Sequence, residues 1–106
     1  QQGMANTLKS LGDLELQLRN VDAARQHFDN ALPLYEALGD QQGKANTLES
    51  LGDLELQSGN VDAARQHFYT ALLLYQAVGS QQGMANTLWS LVTLDLQLGN
   101  MDAALP

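Results

Sequence analysis

The chain has 106 residues, enough for one small domain, and its 12 acidic against five basic residues give a formal net charge of −7. Binding to the phosphates of a nucleic acid needs clustered positive charge, and the lysines and arginines of this chain are scattered. We therefore expect no nucleic-acid partner; a basic or neutral polypeptide is a better match for the acidic chain. The absence of cysteine excludes disulfides and thiolate metal sites and suits a cytoplasmic location, and no apolar run reaches the roughly 18 residues that a membrane span needs.

A repeat of 40 residues organises the sequence. Residues 1–40 and 41–80 are identical at 30 of 40 positions, and residues 81–106 match the first copy at 18 of 26. Self-similarity at a fixed period of this length is typical of architectures that stack one structural unit. We therefore expect a single domain over residues 1–106, with repeats 1–40 and 41–80 and a truncated third repeat, 81–106.

Each repeat predicts two helices, because its apolar residues recur at intervals of three and four positions and so share one helix face. The first helix runs from about residue 2 to residue 18, with the stripe Ala5, Leu8, Leu11, Leu14 and Leu18. The second runs from about residue 21 to residue 38, with the stripe Val21, Ala24, Phe28, Ala31, Tyr35 and Leu38.

Short turns separate these helices. Within the repeats the turns are Arg19-Asn20, Gly59-Asn60 and Gly99-Asn100, and between repeats Gly39-Asp40 and Gly79-Ser80 serve in the same way. Glycine suits the left-handed position after a helix, and an asparagine at the N-cap is expected to accept a hydrogen bond from a free backbone N–H. The pattern predicts an all-α solenoid of antiparallel helix hairpins, with five full helices and a C-terminal stub of a sixth.

At these positions the sequence resembles the tetratricopeptide repeat. That repeat normally has 34 residues, with a large residue, Leu-Gly, Ala and Phe at fixed offsets. The first copy supplies Leu8, Leu11-Gly12, Ala24, Phe28 and Ala31, and the second supplies Leu48, Leu51-Gly52, Ala64, Phe68 and Ala71. The longer period is similar to that of bacterial signalling proteins, kinesin light chains and cell-polarity adaptors. The resemblance implies a superhelix whose first helices line a concave groove.

Several residues depart from the family pattern. Glu15, Glu55 and Asp95 replace a tyrosine. We expect the carboxylates of Glu15 and Glu55 to reach water; the alternative is burial beside a hydrogen-bond donor. Val92 replaces the packing glycine of the third copy, so the two helices of that repeat cannot approach as closely. Pro33 lies inside the second helix, where we expect a local bend or loosened turn rather than a break.

No constellation of residues predicts catalysis, a metal site or a cofactor. His27 and His67 are equivalent positions of the repeat, and a metal needs three or four converging ligands. Carboxylates two residues apart, such as Asp13 and Glu15, point about 200° apart on a helix and cannot form a catalytic dyad. We therefore expect a protein that is not an enzyme.

The resemblance assigns a binding surface to one stripe of the first helices. The stripe comprises Asn6, Lys9, Asp13, Leu16 and Gln17; Asn46, Glu49, Asp53, Leu56 and Gln57; and Asn86, Trp89, Thr93, Leu96 and Gln97. The three asparagines form a ladder of amides that either contacts a peptide backbone or bonds neighbouring helices. Position 9 of the repeat varies, as Lys9, Glu49 and Trp89, while its neighbours are constant, which is expected where side chains select a ligand.

These features predict an interaction scaffold that holds a protein or an extended peptide of basic or amide-rich character. Two alternatives remain open. One is a self-associating repeat fragment, natural or engineered, whose uncovered ends would stack end to end or exchange the C-terminal helix between copies. The other is a sensor or regulatory segment of a larger bacterial signalling protein. The chain begins in phase with the repeat and without an initiator Met, as expected of an excised piece.

Overall fold

A computed structural model describes the backbone of residues 1–104 and the side chains of residues 1–99. It contains the helices α1 (Gln2–Gln17), α2 (Val21–Leu38), α3 (Gln41–Gln57), α4 (Val61–Val78) and α5 (Gln81–Ala104). The prediction of an all-α repeat fold is confirmed, and no strand occurs between residues 1 and 104. Among the described residues, no helix is both long enough and apolar enough to cross a membrane.

Each of the first two hairpins closes around a contact between an aromatic ring and a glycine. A Cβ atom placed on Gly12 would lie 2.5 Å from Cε1 of Phe28, and one placed on Gly52 would lie 2.5 Å from Cε1 of Phe68. Any larger residue would collide with the ring, so glycine lets the two helices of a unit approach this closely. Both rings are fully buried.

A second aromatic contact joins one unit to the next. The ring of Tyr35, at the end of α2, packs on Gly43 near the start of α3, and Tyr75 packs on Gly83 in the same way. One core cluster includes residues of α1, α2, α3 and α4, among them Leu16 and Leu54. The apolar core is therefore continuous along the repeat axis, as in other stacked-repeat proteins.

The predicted turns have the expected backbone conformation. Gly39, Gly59 and Gly79 have φ values of 69°, 82° and 72°, which place them in the left-handed region. Arg19 occupies the same position in the first hairpin with φ of 63°, although a residue with a Cβ is disfavoured there. The first hairpin therefore closes with a residue less suited to its turn than the second.

Helix capping follows the prediction at the turn between the first two repeats, but not at the turns within a repeat. Asp40 accepts a hydrogen bond from the backbone N–H of Gly43 at 2.9 Å, so it caps α3. Asn20 and Asn60 stand at the N-caps of α2 and α4, but neither side chain makes a capping bond. The predicted role of these asparagines is wrong; the amide of Asn60 instead donates to Glu55 Oε1 at 3.1 Å.

Coverage of the predicted apolar stripe depends on the position of the helix along the stack. In α3, Leu51 and Leu54 are 3% and 0% exposed, because α2 and α4 pack on this helix. In α1, the equivalent Leu11 and Leu14 are 40% and 50% exposed, because no helix among the described residues covers this side of α1. Pro33 lies exposed within α2, which continues without a break, as predicted.

The C-terminal helix differs from the prediction. A turn at Gly99-Asn100 and a separate stub were expected, but α5 is one helix of 24 residues that continues through both positions to Ala104. In the first two units the phenylalanine of the second helix packs on a glycine of the first helix. In α5, Val92 occupies the position of that glycine. The local contact that closes the other hairpins is therefore missing. Leu105 and Pro106 lie outside the described residues.

Candidate functional site

The first helices of the three units lie side by side. Ser50 of α3 donates a hydrogen bond to Asp13 Oδ1 of α1 at 2.8 Å. The Thr87 hydroxyl of α5 donates to the Gly83 carbonyl at 2.8 Å and lies 3.5 Å from Glu49 Oε2 of α3. These contacts bring the predicted stripe of each helix onto one surface. We call it the first-helix face and define it as Asn6, Lys9, Asp13, Asn46, Glu49, Asp53, Leu56, Asn86, Trp89, Thr93 and Leu96.

The asparagine ladder has a structural role in two of its three members. Asn6 Oδ1 accepts a hydrogen bond from the Tyr35 hydroxyl at 2.6 Å, and Asn46 Oδ1 accepts one from Tyr75 at 2.6 Å. Each bond links a first helix to the second helix of the same unit. The amide nitrogens of both asparagines, and the whole side chain of the exposed Asn86, make no hydrogen bond within residues 1–99. Three donor groups therefore remain available on this face.

Four charged side chains from α1 and α3 meet at the middle of the first-helix face. Lys9 Nζ lies 2.6 Å from Asp13 Oδ2, so the lysine charge is neutralised within its own helix. Asp53 and Glu49 have no such cation. Desolvation, followed by repulsion from Glu49 and Asp13, raises the pKa of Asp53 to about 6, although the nearby Lys9 acts in the opposite direction. The surface is acidic at neutral pH.

The environment of Asp53 indicates a recessed surface. The residue is exposed as a whole, yet protein atoms displace enough of its hydration shell to raise the carboxyl pKa. A carboxylate at the bottom of an open groove agrees with both observations, because water reaches it from one side only.

Glu49 is held in place by the adjacent tyrosine. Its Oε1 accepts from the Tyr75 hydroxyl at 3.1 Å, and that hydroxyl also lies 2.6 Å from Asn46 Oδ1. A phenol has one proton, so the shorter bond to Asn46 dominates and the bond to Glu49 is secondary. Burial and the neighbouring carboxylate of Glu49 raise the pKa of Tyr75 above its ordinary value.

An open cavity of about 170 Å³ lies at the C-terminal part of the first-helix face. Its lining combines α3 and α5 and consists of Leu56, Trp89, Ser90, Thr93, Leu94 and Gln97. Trp89 is 72% exposed, more than any other large apolar side chain of the described residues. The structure thus brings four residues of the predicted stripe, Leu56, Trp89, Thr93 and Gln97, around one cavity.

The leucines of the predicted stripe serve mainly in packing. Leu16 is buried in the core with Phe28, so its prediction as a groove residue is wrong. Leu56 is half-buried against Phe68 and Leu91. Leu96, at the same position of the third unit, is exposed because no helix covers α5 there. The position is apolar because it faces the neighbouring helices.

An ion pair between units was missed by the sequence analysis. Arg25 of α2 binds Glu55 of α3 through two hydrogen bonds, Nη1 to Oε2 at 2.9 Å and Nη2 to Oε1 at 3.0 Å. The bonds from Arg25, aided by one from Asn60, lower the pKa of Glu55 to about 2 against the opposing effect of burial. Glu55 is 6% exposed, so the expectation that it reaches water is wrong, and the alternative of burial beside a donor is observed.

The same pairing recurs one unit later. Arg65 Nη2 lies 3.0 Å from Asp95 Oδ1, but this carboxylate is more than half exposed. The sequence signal for these pairs is an arginine followed 30 residues later by an acidic residue, and it occurs in both units. The acidic residue stands at the position where the family pattern has tyrosine. His67 Nε2 lies 3.8 Å from Glu55 Oε2, next to the first ion pair. Among the described residues, no three potential metal ligands converge.

Comparison with known proteins bears on the whole chain. The family model of the tetratricopeptide repeat matches residues 3–72 and 45–106. No curated protein matches the chain. The two matched segments together include every residue of the first-helix face.

Proposed function

We propose that the first-helix face of this chain binds an extended segment of another protein. The starting point is that the chain belongs to the tetratricopeptide repeat family. Repeats of this family generally act as protein-interaction scaffolds and are not catalytic. The proposal assigns that general role to one surface of this chain and to a ligand of defined chemistry.

The observation that carries the proposal is the exposed Trp89, which stands beside an open cavity. The same face holds two carboxylates, Glu49 and Asp53, that form no salt bridge with a cation of the described residues. A tryptophan this exposed gains apolar contact when a ligand covers it, and aromatic residues dominate the energetics of binding surfaces. The cavity shared by α3 and α5 accepts one aliphatic or aromatic side chain, packed between Trp89 and Leu56.

The polar groups of the face define the rest of the ligand. Asp53 and Glu49 attract a lysine or arginine, because Lys9 already neutralises Asp13 and no other cation stands among them. The amide nitrogens of the asparagine ladder donate to backbone carbonyl groups of an extended peptide. The ligand is therefore a peptide with a basic residue followed, one unit further along the groove, by an apolar residue.

Selection from a displayed library of random peptides tests this function. The full chain selects peptides, and the affinity of the enriched sequences is then measured by calorimetry with Trp89→Ala and Asn86→Ala. Neither side chain holds the fold together: Trp89 is largely exposed and the side chain of Asn86 bonds nothing within residues 1–99. Trp89→Ala is expected to weaken binding by about tenfold or more, as for other central aromatic contacts.

Tyr69→Ala serves as the matched control, because Tyr69 is also an exposed aromatic residue but lies on α4. It is expected to leave affinity unchanged. Raising the salt concentration should weaken binding, since the basic residue of the peptide meets an acidic surface. Enriched peptides without basic residues, or equal affinity for wild type and Trp89→Ala, would refute the proposal.

Self-association is a second candidate function, and it draws on a different surface. Met4, Leu11 and Leu14 of α1 are exposed apolar residues, and so is Leu18 directly after this helix. Two copies that pair through α1 would bury them. Sedimentation over a hundredfold range of concentration tests this: Leu14→Lys should abolish any dimer, and a monomeric wild type at all concentrations would exclude it.

A further inference from the structure

The outward side of α4 carries an apolar patch that no helix of the described residues covers. Leu73 is 64% exposed, more than any other aliphatic side chain of those residues, and Tyr69 is 49% exposed. Because α4 contacts α3 on one side and α5 on the other, the patch lies within the stack and not at an end of it. Further repeats before or after this chain would leave it uncovered. We call it the outer face of α4 and define it as the exposed residues Tyr69, Thr70, Leu73, Gln76 and Ala77.

The two full copies of the repeat differ on this face and agree beneath it. Residues 1–40 and 41–80 differ at ten positions, and four of these lie on the outer side of the second helix. From α2 to α4 the replacements are Asp29 by Tyr69, Asn30 by Thr70, Pro33 by Leu73 and Glu36 by Gln76. The buried residues of the two helices are identical in type and position. The outer face of α4 has therefore become apolar and uncharged without any change in the packing of the helix.

The outer face of α4 is complementary to itself in size. When two copies of α4 pair antiparallel about a two-fold axis at Leu73, a residue before Leu73 lies opposite the residue that stands equally far after it in the second copy. Tyr69 then lies opposite Ala77 of the second copy, and Ala77 lies opposite its Tyr69. An aromatic ring packed on a small residue is also the contact between Phe68 and Gly52 inside this chain.

The polar residues of this face match in the same arrangement. Thr70 stands three positions before Leu73 and Gln76 three after it, so they lie opposite each other. The Thr70 hydroxyl donates its proton to the backbone carbonyl of Gln66 at 3.0 Å, which leaves its oxygen free to accept a hydrogen bond. The Gln76 side chain is exposed, and its amide can donate to that oxygen in the second copy.

The charge of the chain agrees with this contact and not with the same contact through α2. Copies with a net charge of −7 repel each other, so they meet most easily where neither surface has a carboxylate. The acidic residue of α4 is Asp62, which lies eleven positions before Leu73, about 16 Å along the helix. The same face of α2 holds Asp29 and Glu36, so pairing through α2 would bring two carboxylates from each copy together.

The exposed apolar residues of α1 and α5 match the outer face of α4 less well. Leu11 and Leu14 of α1, and Leu88 and Val92 of α5, have no alanine between them that could accommodate the ring of Tyr69. A contact between α4 and either helix would also join two different surfaces. Such pairing leaves one surface of each copy free and continues into an open chain of copies, whereas the contact of α4 with itself closes as a dimer.

We propose that the outer face of α4 binds the outer face of α4 in a second copy of this chain, as an antiparallel helix pair with Leu73 on the two-fold axis. The contact uses a second helix of the repeat, and the first-helix face belongs to α1, α3 and α5. Both first-helix faces of the dimer therefore stay free. This contact competes with pairing through α1, and the two predict opposite effects of Leu14→Lys.

Sedimentation equilibrium of the full chain tests the contact. With rising concentration the wild type is expected to approach twice the 11.5 kDa mass of the chain. Leu73→Lys should remain at the mass of one chain at every concentration, because two lysines would meet at the axis. Leu14→Lys and Leu88→Lys are the matched controls, since these leucines are 50% and 49% exposed on α1 and α5. Both controls should still form the dimer.

Introduced thiols test the register of the two helices, because the chain has no cysteine. Leu73→Cys is expected to form a disulfide-linked dimer on mild oxidation, since residues on the axis come within the reach of a disulfide. Tyr69→Cys and Ala77→Cys, when mixed, should yield severalfold more of the linked dimer than either variant alone, because each position faces the other. More linkage in Tyr69→Cys alone than in the mixture would contradict the antiparallel register.

Two results in sedimentation would overturn the proposal. One is a wild type that stays monomeric at all concentrations, which would leave the outer face to another protein. The other is a dimer that Leu14→Lys or Leu88→Lys abolishes and Leu73→Lys does not, which would assign the contact to α1 or α5. Thermal melts establish that each variant is folded. Tyr69→Ala should weaken the dimer and leave peptide affinity unchanged, so this proposal and the peptide groove can fail independently.

Discussion

Replacement of Arg25 by methionine removes the guanidinium that faces the buried carboxylate of Glu55 and keeps most of the aliphatic stem. The fall in the pKa of Glu55 from 4.5 to about 2 corresponds to roughly 3 kcal/mol at about 1.4 kcal/mol per pKa unit. The Arg25 side chain is 37% exposed, so water screens part of this interaction. We therefore expect Arg25→Met to lower the free energy of unfolding by about 2 kcal/mol at pH 7.

The pH dependence of this effect has a defined sign. The pKa of Glu55 is lower in the folded than in the unfolded chain, so the pair stabilises the fold fully above about pH 5 and loses this effect as pH falls toward 2. In Arg25→Met the buried carboxylate takes up a proton more readily. The wild type and the variant should therefore differ most at neutral pH and converge near pH 2.

Urea denaturation followed by circular dichroism at several pH values measures both effects. Arg65→Met is the matched control, because Arg65 stands at the same position of the next unit and pairs with the exposed Asp95 at 3.0 Å. An exposed pair contributes little, so this variant should lose less than about 1 kcal/mol. Equal losses for the two variants, or a loss for Arg25→Met that does not change with pH, would refute the reasoning.

Three further substitutions test local features of the fold by the same denaturation assay. Arg19→Gly should raise the free energy of unfolding by about 1 kcal/mol, because Arg19 has φ of 63°; a loss of stability would contradict the assigned turn. Gly52→Ala should lower the free energy of unfolding by about 1–3 kcal/mol, because the new methyl group would lie 2.5 Å from a buried ring. Gly3→Ala is the control, since nothing lies within 4 Å of a Cβ atom at that position. Similar effects of the two substitutions would disprove the close contact. Pro33→Leu, which copies the exposed Leu73 of the next unit, should stabilise the chain by up to about 3 kcal/mol by restoring a helical hydrogen bond; no gain would show that α2 tolerates the proline without cost.

The helices and their order followed from the sequence because each repeat presents the same periodic signal. Leu48, Leu51 and Leu54 lie three residues apart and are all buried in α3, as the pattern requires. The signal does not show which copy has neighbours on both sides. For this reason Leu11 and Leu14, the α1 equivalents of Leu51 and Leu54, were predicted as core and are exposed.

The candidate site was predicted only in part, because side-chain partners from distant helices are invisible in a local pattern. Tyr35 donates a hydrogen bond to Asn6, which lies 29 residues earlier in the sequence. Arg25 donates to Glu55, which lies 30 residues later. Trp89 was recognisable because it stands where the other copies have charged residues. Its cavity, shared by α3 and α5, depends on the packing of two units and could not be read from either alone.

The proposed ligand surface is tested most directly by titrating isotope-labelled protein with a peptide selected by the full chain. The chain has one tryptophan, so its indole N–H gives a single assigned signal in a nitrogen–proton correlation spectrum. Binding to the first-helix face predicts large shifts of that signal and of the Asn86 side-chain amide, with little change at Tyr69 and Thr70 on α4. Shifts centred on α4, with the Trp89 signal unmoved at saturation, would contradict the account.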